Sequence, residues 1–391
     1  MSEQQRYRVI KRLASGGMAE VFVAESAGIE GFKKQVAIKR VLPQLSKKEQ
    51  FIAMFLDEAR LSAHLSHSNV VSVFDIGVGD DTYFIVMEYV DGADLKAIVE
   101  YQTKLGRKTP VEAAVFLGAR ICQGLAYAHE LKTTEGKPLQ IVHRDITPAN
   151  VLITKFGEVK IVDFGLAKAS SQLAGSDAGV IKGKFGYLAP ETVLEKPVDN
   201  RVDIFSLGII LWEMLAGRRL FLGENDFATV RLVRDAVIPK LSAINPTVPP
   251  ELERILAQAL ARDTGERYAS ARDLGRDLTR FLFRYGRPVS EDDIAVLVRG
   301  AMGVPTMADG VSKISDLIAM TLLEFKSLTK DDGPEVGEVP APLSWRPSYE
   351  PIEDGPLNSL ADALEGPDSI EPPGTKDDPS ATAWLRGLIQ R

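Results

Sequence analysis

The chain has one cysteine, Cys122, among its 391 residues. No disulfide can close within it, which points to a reducing compartment. Cys122 falls in a helical pattern over residues 113–130, so it reads as a small buried hydrophobe. Long apolar runs are missing too: the longest lies near residues 209–215, far too short to cross a bilayer. The opening Met1-Ser2-Glu3-Gln4-Gln5 has no apolar core and does not read as a signal peptide. Basic residues are not in excess. The chain has 47 Lys and Arg against 54 Asp and Glu, for a net charge of −7. Residues 329–391 hold 13 acidic and 5 basic residues, a net −8, so the remainder carries +1. That balance offers no basic face for nucleic acid. Internal repeats are absent, and the only compositional bias is at the C-terminal end.

What is present suffices for a sizeable core, since 45% of residues are apolar. Residues 7–10 and 21–24 read as short strands around a Gly-containing turn, and 36–40 as a third strand. Residues 50–65 place Phe51, Met54, Phe55, Ala59 and Leu61 at helical spacing. Strands at 70–76 and 83–88 complete a five-stranded small lobe with one main helix. Beyond Val90 the pattern turns helical, with apolar runs at 110–130, 202–215, 251–261 and 272–283. A hairpin-like region follows the first of these. Ser290-Glu291-Asp292-Asp293 reads as a helix start, with Ser290 as cap and acids in the first turn. Residues 312–328 form a second amphipathic candidate. Over residues 329–391, ten of the chain's 22 prolines join the acidic excess, which predicts a disordered tail. Its end holds Trp384, Leu385, Leu388 and Ile389, which could dock on a partner or on the chain's own surface.

The strongest signal is an ordered set of short motifs. His143-Arg144-Asp145 is followed by Asn150 and then by Asp163-Phe164-Gly165, with Asp163 eighteen residues after Asp145. Phosphoryl transfer needs a carboxylate to accept the hydroxyl proton, oxygen ligands for magnesium, and a cation for the nucleotide phosphates. Asp145 fits the first need, and Asn150 with Asp163 the second. Val36-Ala37-Ile38-Lys39 offers the cation on a strand-like run, and Glu58, nineteen residues later on a helical pattern, can hold it. Each motif alone is weak, but all of them in this order would rarely arise by chance.

Residues 7–284, roughly 70% of the chain, resemble a eukaryotic-like (Hanks-type) serine/threonine protein kinase of the bacterial kind, soluble myxobacterial kinases above all. The resemblance implies an α+β, bilobal protein-kinase-like fold. Residues 7–90 would form a five-stranded antiparallel N-lobe with one main helix, and 91–284 a mainly helical C-lobe. Residues 1–6 would be an N-terminal extension, 285–328 a helical extension and 329–391 the tail. It further implies ATP with Mg2+ (or Mn2+), protein substrates, and self-association for trans-autophosphorylation. Many bacterial members carry a transmembrane helix and an external sensor. Neither is evident in this sequence, so the expectation is a cytoplasmic enzyme with no membrane and no nucleic-acid partner.

The nucleotide loop is imperfect. Leu13-Ala14-Ser15-Gly16-Gly17-Met18-Ala19-Glu20-Val21 stands against the family pattern G-x-G-x-x-G-x-V, so alanines replace the first and third glycines. Gly16 is kept where backbone would approach phosphate. Alanine resists positive φ, which predicts a stiffer loop. The alternative is a strand turn with no ligand. By resemblance, Val21 and Ala37 roof the adenine slot, Leu152 floors it, and Met87 guards its back. Glu88 and Val90 belong to the hinge, and Asp94 contacts ribose. Met87 and the aliphatic residues would pack as core in either case.

Asp145 is the candidate base and Lys39 with Glu58 the candidate catalytic pair. Arg144 is the residue that, in such kinases, binds an activation-loop phosphate. His143 matches a packing histidine, and His64, His67 and His129 show no metal-ligand arrangement. Asp203 resembles the acid that bonds the catalytic-loop backbone, and Glu191 with Arg267 the ion pair that anchors the activation segment. Two departures are coupled in position. The family lysine two residues after the aspartate is Thr147, and the family threonine after the glycine of G-T-x-x-Y-x-A-P-E is Lys184. In the family these two side chains meet beside the catalytic aspartate. An exchange would send Lys184 toward Asp145 and the γ-phosphate while Thr147 supplies the hydroxyl. The alternative is two separate losses with weakened catalysis. Ser176, seven residues before Gly183, is the candidate phosphorylation site that pairs with Arg144. Otherwise it is a plain loop serine. Three functions compete: an active Mg-ATP protein kinase for serine or threonine, a catalytically weak pseudokinase scaffold, and a small-molecule kinase of the same fold.

Overall fold

Five strands run β1 (Tyr7–Ser15), β2 (Ala19–Ala27), β3 (Lys33–Val41), β4 (Val73–Gly79) and β5 (Thr82–Glu88). They pair in the order β1-β2-β3-β5-β4, antiparallel throughout. The computed structural model describes residues 7–27, 33–79, 82–164 and 184–303. All of these fall in one compact unit, Met1–Leu323. A second unit, Glu324–Arg391, lies outside the described residues, as do Ser176, the 312–328 helix candidate and the 329–391 tail.

The helix α1 (Glu49–Ala63) crosses between β3 and β4 and buries Phe55, Glu58 and Ala59. Its apolar face packs with Val41, Leu45 and Ile85 into a small core of its own. Val70 and Val71, expected to begin β4, instead leave the sheet early. Val70 bridges Ile161, and the Val71 amide donates to the Ile161 carbonyl at 2.9 Å.

A short sheet opens the C-lobe, from β6 (Gly92–Asp94), β7 (Val151–Thr154) and β8 (Val159–Ile161), in that order. The helices α2 (Leu95–Lys104) and α3 (Val111–Glu130) precede β7 in the chain. After the undescribed segment come α4 (Pro190–Val193), α5 (Arg201–Ala216), α6 (Asp226–Asp235), α7 (Pro250–Ala259), α8 (Ala271–Tyr285) and α9 (Glu291–Ala301). Proline at the first turn of α4 and α7 fits positions that need no N–H donor. α5 buries every residue after Arg201, so it has no polar face and runs through the middle of the core. Each large aliphatic side chain buried there contributes about 1.5–3 kcal/mol. α9 begins where the acidic start predicts it: Asp293 Oδ2 accepts from the Ser290 amide at 2.7 Å and from its hydroxyl at 2.9 Å. Among the described residues no helix is long and apolar enough to cross a membrane.

Candidate active site

The loop between α3 and β7 is fixed from below by Asp203 on α5. Its Oδ2 accepts from the His143 amide at 2.8 Å, and its Oδ1 accepts from the Arg144 amide at 2.7 Å. His129 adds a ring contact to Oδ2 at 2.8 Å. Asp203 is fully buried, yet it stays below its ordinary pKa: burial pushes it up, and the bond to His129 with the charge of the histidines more than reverses this. His143 bonds the Val162 carbonyl at 2.9 Å, and its ring packs on Phe164 at 4.6 Å, so it is structural. Arg144 and Asp163 both take left-handed backbone, with φ 66° and 63°. Such geometry costs about 1–3 kcal/mol and is held only where neighbours fix it.

Lys39 on β3 lies between two carboxylates. Its Nζ donates to Glu58 Oε1 at 2.7 Å and to Asp163 Oδ1 at 2.8 Å. Burial alone would lower the lysine pKa, but Asp163 and Glu58 raise it above the ordinary value, so it stays charged. Asp163 lies below the ordinary carboxylate range, because Lys39 outweighs the effect of burial. Glu58 differs. Burial pushes its carboxyl up to about 7 against the pull of Lys39, with Asp163 adding to the rise. Its second oxygen, Oε2, is buried with no hydrogen-bond partner among the described residues. Both line a cavity of about 20 Å³, with Met87, Val71, Ile85 and Phe164.

Asp145 collects two donors on one oxygen. Lys184 Nζ stands 2.7 Å from Oδ2, and Asn150 Nδ2 donates to the same atom at 3.1 Å. Asn150 also bonds the Asp145 carbonyl at 2.8 Å. Asp145 Oδ1 has no hydrogen-bond partner among the described residues. Lys184 and Asp145 therefore meet. Thr147 is buried beside them in sequence, but its hydroxyl has no hydrogen-bond partner among the described residues. The Arg144 guanidinium likewise has none, and Ser176 is outside the described segment.

The nucleotide loop closes between β1 and β2, where the Gly16 amide donates to the Ala19 carbonyl at 2.9 Å. Ala14 pairs with Val21, Ser15 with Glu20, and Ala19 with Val41. Neither alanine has positive φ. Both replacements sit in extended backbone that any residue adopts, so neither alanine is strained there. Leu13 and Gly17 flank the same turn. Ala37 pairs with Met87 across β3 and β5. The Glu88 side chain is taken by Lys160 at 2.7 Å and by the Ser72 amide at 3.3 Å, leaving only backbone for adenine. The Val90 amide has no partner among the described residues, as a hinge donor requires. Asp94 caps α2, accepting from the Ala97 amide at 2.7 Å through Oδ1. It pairs with Leu152 in the short sheet.

Sequence reasoning missed Lys160. It is the outward residue of a three-residue strand, and nothing in its spacing announces a partner. Among the described residues no group of three or more His, Cys, Asp or Glu side chains forms a metal cage. Asp163 and Asn150 supply two hard oxygen donors, which suits magnesium shared with substrate phosphates and not a closed protein site.

A family model, protein kinase domain, matches residues 7–277. The chain belongs to the protein kinase family. Over 315 residues it is 37% identical to the tyrosine-protein kinase MasK of Myxococcus xanthus, covering 81% of this chain and 49% of that protein. Over 273 residues it is 37% identical to the serine/threonine-protein kinase PrkC of Bacillus subtilis, covering 70% of this chain and 40% of that protein. The crystal structure of the Mycobacterium tuberculosis PknI kinase domain matches with a TM-score of 0.52 and 26% identity, over 71% of this chain and 96% of that one. This kinase chain spans about half the length, or less, of MasK and PrkC. Its Glu191–Arg267 pair, 2.7 Å and bidentate, ties α4 to the carbonyls of Ala261 and Arg201.

Proposed function

We propose that the chain is an ATP-dependent protein kinase acting on serine and threonine hydroxyls of proteins, including its own, in cytoplasmic signalling. The observation that carries the reading is the convergence on one cleft of Lys39, Glu58, Asp145, Asn150 and Asp163, from both lobes. A scaffold has no need of all five. ATP, with magnesium or manganese held by Asn150 and Asp163, brings the transferable phosphoryl group and neutralises its charge. Lys39 holds phosphate charge. Asp145 orients the substrate hydroxyl and accepts its proton on Oδ1, the oxygen left open. Lys184, fixed on Oδ2, adds a cation where negative charge develops. Phospho-Ser176 would pair with Arg144. Two copies would meet for trans-autophosphorylation, with neither nucleic acid nor membrane involved.

The test is transfer from labelled ATP with magnesium to the chain itself and to a basic protein, beside Asp163→Ala. Label on serine or threonine that disappears in the variant supports the reading. Label on tyrosine would move the target toward that named for MasK. ATP binding without transfer in either protein would favour the scaffold.

A further inference from the structure

α9 lies beyond the stretch matched by the family model, which ends at residue 277. It is nevertheless core. Ile294 and Val298 are fully buried and Ala295 nearly so. The helix packs chiefly on α2, β6 and β7, not on α8, which precedes it. Its N-terminus meets the turn between β7 and β8 at Gly157, where φ is 93° and a Cβ would come within 1.9 Å of the Glu291 carbonyl oxygen. Glu291 also reaches Arg120 on α3 at 3.1 Å. Arg299 points back to the carbonyl of Lys155 in the same turn, at 3.4 Å.

That turn touches the nucleotide hinge on its other side. The Lys155 amide donates to the Asp91 carbonyl at 2.7 Å, and its Nζ pairs with the Asp91 carboxylate at 2.7 Å. Asp91 directly follows Val90. Gly92 then passes so close to β7 that a Cβ would lie 1.9 Å from the Ile153 carbonyl oxygen. One turn of chain, residues 155–157, is thus wedged between the hinge exit and α9. The hinge exit cannot shift outward unless this turn moves, and α9 blocks that movement.

We infer that α9 is a positioning element for the nucleotide: through the 155–157 turn it holds residues 91–94 in register and so sets affinity for ATP. The inference rests on the nucleotide-site reading above. A helix that only closed the domain would affect stability alone, whereas a positioning helix affects nucleotide affinity at constant fold.

The test uses the full chain. Val298→Asp sets a charge on the buried face of α9 and should release the helix, as read by hydrogen exchange over residues 291–301. The dissociation constant of a fluorescent ATP analogue and the KM for ATP should both rise about fivefold or more, with kcat little changed. Val296→Asp, on the exposed face of the same helix, should change neither. If Val298→Asp does not fold, Ile294→Ala with Val298→Ala loosens the same face and should raise the KM for ATP in the same direction. A released α9 with wild-type nucleotide affinity overturns the inference. A wild-type chain that binds no nucleotide overturns the site reading instead, so the two failures are distinct.

Discussion

Lys184 is the residue on which this kinase departs most usefully from its family. A lysine ammonium carried on the activation segment does not reach the same place by the same route as one carried two residues after the base. The distance to Asp145 Oδ2, 2.7 Å, shows that it arrives at the base all the same. It is partly exposed, so its contribution to stability is small, and under the proposed function its place is where the transferring group becomes more negative. Lys184→Ala should lower kcat by about 10²-fold or more with the KM for ATP nearly kept, as expected for a group that acts mainly in the transition state. The paired exchange Thr147→Lys with Lys184→Thr should recover part of the loss that either single change causes. Full activity in Lys184→Ala would show that its contact with Asp145 is incidental. Glu58 shows a different point at this scale. Burial raises its carboxyl above the ordinary carboxylate range against the pull of Lys39, and Oε2, without a hydrogen-bond partner among the described residues, is the visible cost of that burial.

At the scale of elements, the catalytic loop depends on α5 more than on its own sequence. Two backbone amides and a histidine ring converge on Asp203, which has no contact with solvent. Asp203→Ala leaves these donors buried and unpaired. It should cost about 3–5 kcal/mol in chemical denaturation, the range for breaking a buried network on one side. Activity per folded molecule should fall as well, because the left-handed Arg144 loses its anchor. Unchanged stability would mean that water replaces the carboxylate. α5 was legible in the sequence because its run is apolar on every face, and α1, α3, α7 and α8 because theirs is periodic. β7 and β8 are the hairpin expected after α3, though their limits were not legible, and β6 was not read as a strand. At three or four residues each they are too short to show a period, and they exist because Asp91 and Asn69 pin their ends. α6 was missed for another reason: it buries only Thr229 and Val233, so no apolar stripe marks it. The contact of Lys184 with Asp145 could be anticipated from two departures at paired positions. The grip of α9 on the hinge could not, since an apolar face says that a helix is covered but not by what.

For the whole molecule, the decisive fact is that the cleft takes its groups from two lobes joined through residues 88–94. Lys39 and Glu58 come with the sheet, Asp145, Asn150 and Asp163 with the helical lobe, and the 2.8 Å bond from Lys39 to Asp163 crosses between them. A ligand that engages both sides must therefore stabilise the assembly as a unit, by about 2.7 kcal/mol when present at a hundred times its dissociation constant. Part of that gain should require metal. Asp163 pairs with Lys39, and a divalent ion with nucleotide phosphates would release the lysine to the phosphates. Thermal unfolding with ATP and magnesium should then show a rise in Tm that chelation reduces without abolishing, leaving the share due to the hinge and Lys39. In Asn150→Ala and Asp163→Ala the metal-dependent share should vanish while the metal-independent share persists. Equal magnesium-dependent shifts in Asp163→Ala and wild type would place the ion elsewhere and remove the basis for assigning Asn150 and Asp163 to it.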